Sequence, residues 1–415
     1  NALLIYLAPR LHTRIVGRSA HTFAGASVIV ANHASLLDIL LTTMLHPKLV
    51  LMTNRWVWNS PIFGGVVRLA GYYPASDGAE ESVRKLKDRI DEGYSVVIFP
   101  EGKRSEDSSI RRFHKGAFYI AEALQLPVQP LLIHGAASAI PKGTFYLYGG
   151  HVTLKFLPPI LPDEARFGDG YSDRTKKVGR FFKQEFAQLA SEMETPAFYR
   201  TRLISNFLYK GPVLEWYMRI KLNLEGNYAT FHHLLPMRGS IIDLGCGYGF
   251  LCYMLQFLSA ERIITGVDYD EDKIETAQHG YSRTDKLTFH HDDVTKFPMT
   301  SYAGIVISDV LHYLTPERQK EMLIRCFDAL EPGGILIIRD GNADMLKRHR
   351  FTKVTEFFSV TLLKFNKAVN ELHFVSGTNI KQMAGAHGLD VEVLDDAKYT
   401  SNVIFAVRKP GGSRN

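Results

Sequence analysis

The chain has 415 residues, 46% of them apolar and 22% charged, a globular composition long enough for two or three hydrophobic cores. Its 49 Lys and Arg against 43 Asp and Glu leave a net charge of +6, a bias that suits an anionic membrane face or acidic substrates and gives no argument for a nucleic-acid partner. Three cysteines, Cys246, Cys252 and Cys326, exclude a disulfide framework and point to a reducing compartment, and no Cys/His cluster has metal-ligand spacing, so no metal is expected.

No apolar run reaches the length of a membrane span. The opening NALLIYLAPRLHTRIVG is apolar with Arg10, His12, Arg14 and Arg18 interspersed, and two readings stay open for it: a segment lying on a membrane surface, or a core helix broken at Pro9. A first residue Asn1 in place of Met leaves room for a longer protein with an upstream membrane anchor. From Val28 to Pro162 short β-rich runs (SVIVAN, YSVVIFP, LPVQPLLIHG, VTLKFLPPI) alternate with helical stretches (LLDILLTTML, ESVRKLKDRIDEG, KGAFYIAEALQ), an α/β pattern. The polar DEARFGDGYSDRTKK then leads into the helical VGRFFKQEFAQLASEME, which closes a first domain. Pro196 to Pro236 is helical in pattern with aromatic and basic residues interleaved, among them Tyr209, Lys210, Trp216 and Arg219. It reads as a connector, a lid or a membrane-facing strip. A second α/β alternation runs from Ser240 to VIFAVRKP, and the tail GGSRN is expected to be unstructured.

The stretch ANHASLLD places His33-x4-Asp38 directly after an apolar run. A histidine that deprotonates a hydroxyl must be held in one tautomer, and a carboxylate on its other ring nitrogen does this. Residues five apart on a continuous helix diverge in azimuth, so His33 must lie in the turn before the helix, with Asp38 reaching back and with Asn32 and Ser35 as cap residues. A capped helix start with an incidental histidine is the competing reading of this motif taken alone. Further on, VVIFPEGKRS runs an apolar strand into Pro100-Glu101-Gly102-Lys103-Arg104-Ser105, where a glycine, two cations and free backbone donors suit an oxyanion or phosphate.

With FHKGAF (113–118) and LPVQPLLI (126–133), these elements resemble the lysophospholipid (glycerolipid) acyltransferase family over about residues 1–195. The resemblance implies that His33 is the general base, Asp38 orients it and Glu101 joins the catalytic set. Gly102, Arg104, Ser105 and Lys115 then line the acceptor or phosphate site. The implied donor is an acyl thioester of coenzyme A or acyl carrier protein, and the acceptor a hydroxyl or amine on a lipid or other acyl product. Arg111, Arg112 and Lys115 would meet the donor's phosphates or form a solvated basic turn. Two departures stand out: Lys103 occupies a position that is usually Thr, and GYYPASDG (71–78) carries Asp77 where an arginine for glycerol phosphate is expected. A carboxylate there repels a phosphate, so the expected acceptor is an unphosphorylated or unusual one.

In the second half, IIDLGCGYG is an apolar strand followed by Asp243-x-Gly245-x-Gly247-x-Gly249, glycines that let a ligand approach the backbone at a helix N-terminus. Phe250 stands where a dinucleotide fingerprint wants its last glycine. IITGVDYD ends a second strand at Asp268, placed to accept ribose hydroxyls, and LTFHHDDVTKFP offers Asp292 and Asp293 beside Val294 for an adenine. AGIVISDVLHYL and LEPGGILIIRD supply further strands. In this order the elements resemble class I S-adenosylmethionine-dependent methyltransferases. The resemblance implies that Asp243, Gly245, Cys246, Gly247 and Gly249 line the methionine moiety, Asp268 holds the ribose, Asp293 and Val294 face the adenine and Ser308 completes the cofactor site. His312 and Tyr313 form a candidate methyl-acceptor site in which His312 deprotonates an oxygen, and a packed loop histidine is the competing reading. His290 and His291 read as strand-end surface. Cys246 is a small filler.

The expected architecture is therefore α/β in two domains: a glycerolipid-acyltransferase-like domain at 1–195, a helical linker or lid at 196–236, a Rossmann-like class I methyltransferase domain at 237–410 and a tail at 411–415. The pair resembles the C-terminal part of bacterial trifunctional proteins in which a membrane transporter precedes both domains. This implies a bifunctional enzyme of lipid biosynthesis at the cytoplasmic face of the inner membrane. Two alternatives remain, a conventional lysophosphatidate acyltransferase with a non-catalytic cofactor-binding second domain, and a peripheral membrane scaffold with vestigial sites.

Overall fold

The computed structural model describes residues 10–53, 59, 73–74, 79–106, 109–144, 146–224, 227–341, 373–394 and 402–411. The chain divides into two compact units, Asn1–Glu194 and Thr195–Asn415.

The first unit is built on strands β1 (Leu11–Val16), β2 (Val28–Ala31), β3 (Leu49–Thr53), β4 (Tyr73–Pro74), β5 (Ser95–Ile98), β6 (Val128–His134) and β7 (Gly150–Phe156), in the order β1-β7-β6-β2-β5-β3-β4. Only the β6/β7 pair is antiparallel. Every residue of β2 and β6 is buried, which is why both read as unbroken apolar runs. Val28 and Val30 enter one core with Phe118, Val178 and Phe182, while Ile29 and Ala31 enter the other with Leu41 and Ile133. This is the two-residue period of a strand covered on both faces.

Two expectations change here. Residues 11–16 are not part of a core helix; they form β1, parallel to β7, with Leu11 buried and His12 exposed. The β-branched Thr13, Ile15 and Val16 suit that state, and residues 1–9 lie outside the described residues. The last helix begins at Tyr171, inside the stretch read as a polar connector. Thr175, Val178 and Phe182 share one buried stripe, and Arg174 Nη2 donates to the carbonyl of Pro162 at 2.6 Å.

The second unit carries β8 (Gly239–Leu244), β9 (Arg262–Asp268), β10 (Leu287–His291), β11 (Tyr302–Ser308), β12 (Leu330–Gly341), β13 (Asp390–Leu394) and β14 (Asn402–Arg408), in the order β10-β9-β8-β11-β12-β14-β13. The first five are parallel, and β14 runs antiparallel to both β12 and β13. The chain reverses its direction of travel across the sheet at β8, so β9 and β11 flank it and a crevice opens at the carboxyl ends of the strands. Helices Pro196–Ser205, Pro212–Leu224 and Asn227–Leu234 precede β8. Their Phe198, Leu203, Met218 and Phe231 are buried in the same core as Ile241 and Tyr253.

Arg262 at the start of β9 is fully buried. Its guanidinium donates to the carbonyls of Pro236 (2.8 Å), Leu255 (3.0 Å), His232 (3.3 Å) and Leu235 (3.3 Å), tying helix Asn227–Leu234 to the sheet. Among the described residues no helix is long and apolar enough to cross a membrane, and no group of three His, Cys, Asp or Glu side chains could hold a metal ion.

Candidate active sites

The chain leaves β2 at Ala31 and enters helix Leu37–Thr43 only five residues later. Asn32 and Ser35 shape this turn by reaching outward. Asn32 Nδ2 donates to the carbonyl of Ile133 at 2.9 Å and its Oδ1 accepts from Ile133 N at 2.8 Å, while Ser35 Oγ donates to the carbonyl of Ile140 at 2.9 Å. The helix cap itself is Leu36, with no side-chain bond, and only Ser35 Oγ accepts from Leu37 N nearby, at 3.3 Å. Held this way, His33 Nδ1 lies 2.9 Å from Asp38 Oδ2. The same oxygen accepts from Ala34 N at 2.7 Å and Ser35 N at 2.8 Å. Asp38 is 1% exposed, and its Oδ1 is buried without a hydrogen-bond partner. A carboxylate on Nδ1 fixes the proton there and leaves Nε2 as the basic nitrogen. No described residue bonds Nε2. The Phe99 ring stacks on the imidazole with 4.3 Å between centroids.

Glu101 has a different part from Asp38. Its Oε1 accepts from His33 N and its Oε2 from Arg111 N, both at 2.9 Å, so the buried carboxylate clamps two loops. Glu101, expected in the catalytic set, thus braces the turn that carries His33. Burial pushes its carboxyl up, against the two backbone bonds. Ser105 N donates to the carbonyl of His33 at 2.8 Å and Gly102 turns the chain at φ +70°, so the Pro100–Ser105 loop lies against the histidine turn. Ser105 is buried and Arg104 half-buried, while Gly102, Arg112 and Lys115 are exposed, Lys115 at the start of helix Gly116–Ala123. Of GYYPASDG only Tyr73–Pro74 is described, so Asp77 lies outside the described residues.

In the second unit the loop after β8 turns at Gly245 (φ +89°), Gly247 (φ +55°) and Gly249 (φ +73°). A Cβ on Gly245 would meet Val310 and one on Gly249 would meet Phe289 at 2.5 Å, so these two glycines let the loop close on its neighbours. Gly247 instead faces open space. At the end of β9, Asp268 Oδ2 accepts from Gly247 N at 2.7 Å and Oδ1 from Asp270 N at 3.0 Å. Asp243 is buried beneath the loop and accepts from Cys252 Sγ at 3.3 Å, and burial pushes its carboxyl up to about 7. The Cys246 thiol is buried too, pushed up to about 11, which fits a filler and not a nucleophile.

Asp293 is half-buried, with Oδ2 3.7 Å from Arg318 Nη2. Its Oδ1 accepts from Thr295 N at 2.9 Å and Thr295 Oγ1 at 2.7 Å, and these bonds outweigh burial and hold the carboxyl below its ordinary value. Val294 is buried beside it. Ser308 ends β11, with Oγ donating to Asp309 Oδ2 at 3.3 Å. Asp309 adopts φ +57° and pairs with the guanidinium of Arg339.

His312, in the turn Leu311–Tyr313, is held by a residue that sequence reasoning missed. Its Nδ1 lies 2.7 Å from Asp340 Oδ1, and its backbone N donates to Asp340 Oδ2 at 3.3 Å. Burial lowers the imidazole, but the Asp340 bond and charge, with Asp309 beyond, hold it above its ordinary value. The missed signal was strand register: parallel pairing sets Ser308 against Arg339, so Asp340 falls one residue further along the same sheet rim as the loop carrying His312.

Over residues 12–134 the chain matches the acyltransferase family, and over residues 241–334 it matches the methyltransferase domain family. It is 30% identical over 145 residues to a 1-acyl-sn-glycerol-3-phosphate acyltransferase of Cocos nucifera, an alignment spanning 33% of this chain and 47% of that one. It is 31% identical over 156 residues to the enzyme of the same name from Limnanthes douglasii, spanning 35% of this chain and 54% of the relative. The chain thus spans about half the length of these relatives. The solved 1-acyl-sn-glycerophosphate acyltransferase of Thermotoga maritima aligns at 26% identity over 43% of this chain and 72% of that one, with a TM-score of 0.37. The chain is a fusion of an acyltransferase-family domain with a Rossmann-like methyltransferase-family domain.

Proposed function

We propose that the first unit transfers an acyl group from a thioester of coenzyme A or acyl carrier protein to a hydroxyl or amine of a lipid-type acceptor, and that the second transfers a methyl group from S-adenosylmethionine. The observation that carries the first half is the 2.9 Å contact of His33 Nδ1 with Asp38 Oδ2, on a turn braced by Glu101. The acceptor's proton passes to His33 Nε2 while its oxygen or nitrogen attacks the thioester carbonyl. Asp38 stabilises the imidazolium, and collapse of the tetrahedral intermediate expels the thiolate, which takes up the proton. The names of the relatives support a glycerolipid acceptor, and Asp77 favours one without a phosphate at that point. The net charge of +6 supports work at an anionic membrane face, which we place on the cytoplasmic side.

For the second half, the residues present fit S-adenosylmethionine. Gly247 leaves open space at the crevice, and Asp268 stands beside it with lone pairs left for ribose hydroxyls. When bound, this group supplies an electrophilic methyl carbon; the chain's part is to align the acceptor with it. The test compares mass spectra of solvent extracts from cells making equal amounts of wild type, His33→Ala or Asp268→Ala. The expected result is loss of an acylated product in the first variant and a product one CH2 lighter in the second. Unchanged extracts in both overturn the reading.

A further inference from the structure

We propose that the methyl acceptor is an aromatic hydroxyl and that His312, held by Asp340, takes its proton. The inference rests on the reading of the second unit as a binder of S-adenosylmethionine and names the acceptor class of that same site.

Three observations meet at one place. His312 and Asp340 stand at the carboxyl ends of neighbouring strands β11 and β12, on the rim that also carries the glycine loop after β8 and Asp268 at the end of β9. The imidazole is buried, 7% exposed, with Nδ1 committed to Asp340 at 2.7 Å, and among the described residues nothing bonds Nε2. Nε2 is not sealed from solvent, so an acceptor hydroxyl can reach it. Beside the imidazole lie the rings of Tyr313, 4.1 Å away between centroids, and Phe374, 6.3 Å away and 41% exposed, an apolar flank suited to a flat ring.

The chemistry selects the acceptor. A carboxylate arrives already ionised and gives a base nothing to do, whereas a phenolic hydroxyl is protonated near neutral pH and must lose its proton as the new bond forms. The O–H proton goes to His312 Nε2, the oxygen's electron pair forms the bond to the methyl carbon, and the carbon–sulfur pair returns to sulfur and cancels its positive charge. Asp340 stabilises the imidazolium from the far side. The charged and titratable groups around the ring are Asp340 on β12, Asp309 at the end of β11 with its partner Arg339, Tyr313 on the same turn, and His373, whose backbone N donates to the carbonyl of His312 at 2.9 Å. A purely structural dyad, bracing the turn against β12, is the alternative.

The experiment gives the full chain S-adenosylmethionine with either 4-methylphenol or 4-nitrophenol, acceptors of similar size of which only the second is largely ionised at mildly alkaline pH. His312→Gln and Asp340→Asn are expected to leave cofactor binding by calorimetry within about twofold, to cut transfer to 4-methylphenol by on the order of 10²–10⁴, and to cut transfer to ionised 4-nitrophenol by less than about tenfold. In wild type, the rate on 4-methylphenol rises with pH through an inflection above 6.5, and nitrogen NMR of the labelled imidazole shows Nδ1 protonated and Nε2 titrating over the same range. Equal losses on both phenols, no wild-type transfer to either while the cofactor binds, or an Nε2 that does not titrate overturns the proposal. Failure to bind S-adenosylmethionine at all overturns the underlying reading of the unit.

Discussion

His33 Nδ1 and Asp38 Oδ2 lie 2.9 Å apart although they are five positions apart in the chain, because residues 32–36 form a turn bonded to the Ile133 and Ile140 backbone before the helix begins at Leu37. His33→Ala is expected to lower acyl transfer from an acyl-coenzyme A to a monoacylglycerol by on the order of 10²–10⁴ and to leave the urea unfolding midpoint within the range of a surface change. Asp38→Asn keeps an oxygen for the Ala34 and Ser35 amides yet loses the charge that supports the imidazolium, so the fold should survive with activity reduced. Full activity of His33→Ala in the radiolabelled assay refutes the assignment.

Glu101 has both oxygens on backbone amides of residues 68 and 10 positions away. Glu101→Ala leaves the His33 and Arg111 amides without acceptors and is expected to cost on the order of 3 kcal/mol in urea unfolding, with Glu101→Gln intermediate. Acyl transfer should fall in parallel, because the His33 turn loses its brace. A variant as stable as wild type shows that water replaces the carboxylate.

Arg262 sits wholly inside the second unit with its donors on four carbonyls. Burial lowers it to about 10, so it stays charged at neutral pH. Arg262→Met should destabilise by about 3–5 kcal/mol, since the carbonyls closing helix Asn227–Leu234 are left buried and unbonded. A shift of the calorimetric midpoint no larger than that of a surface substitution would contradict the tie.

The Asp243 carboxyl is raised by burial from 3.8 to about 7. The folded chain therefore holds this proton more tightly than the unfolded chain. The stability it contributes is complete below pH 3.8 and is lost as pH rises through about 7. His312, also raised, acts with the same sign: its contribution is complete below 6.5 and is lost above. Urea midpoints should fall between about pH 5 and about pH 8, and Asp243→Asn, which keeps an acceptor for Cys252, should remove part of that slope. A slope unchanged in the variant assigns it elsewhere.

Local patterns in the sequence were sufficient for features that depend on neighbours in the chain. The apolar run Val28-Ile29-Val30-Ala31 announces a strand, the break at Asn32 places His33 before the helix, and the spacing Gly245, Gly247, Gly249 announces a loop between strand and helix. Glu101 as a clamp, Asp340 as the support of His312 and Arg262 as a tie were not legible. Each depends on which strands become neighbours, a global outcome: Glu101 meets His33 because β5 pairs with β2, and Asp340 meets His312 because β12 pairs with β11. The helical reading of the opening segment failed for a related reason. Its apolar run broken at Pro9 suggested a core helix, whereas pairing with β7, far along the chain, makes residues 11–16 a sheet edge.

The place of β14 between β12 and β13 bears on synthesis at the ribosome. The first unit's outermost strand, β1, finds its partner once residues 150–156 have emerged, so that sheet can close while most of the second unit is still being made. The second sheet has no such early closure. Until residues 402–408 leave the exit tunnel, β12 presents an open edge and β13 has no neighbour, and a nascent chain paused just short of that point would hold a finished first unit beside an adhesive, half-built second one.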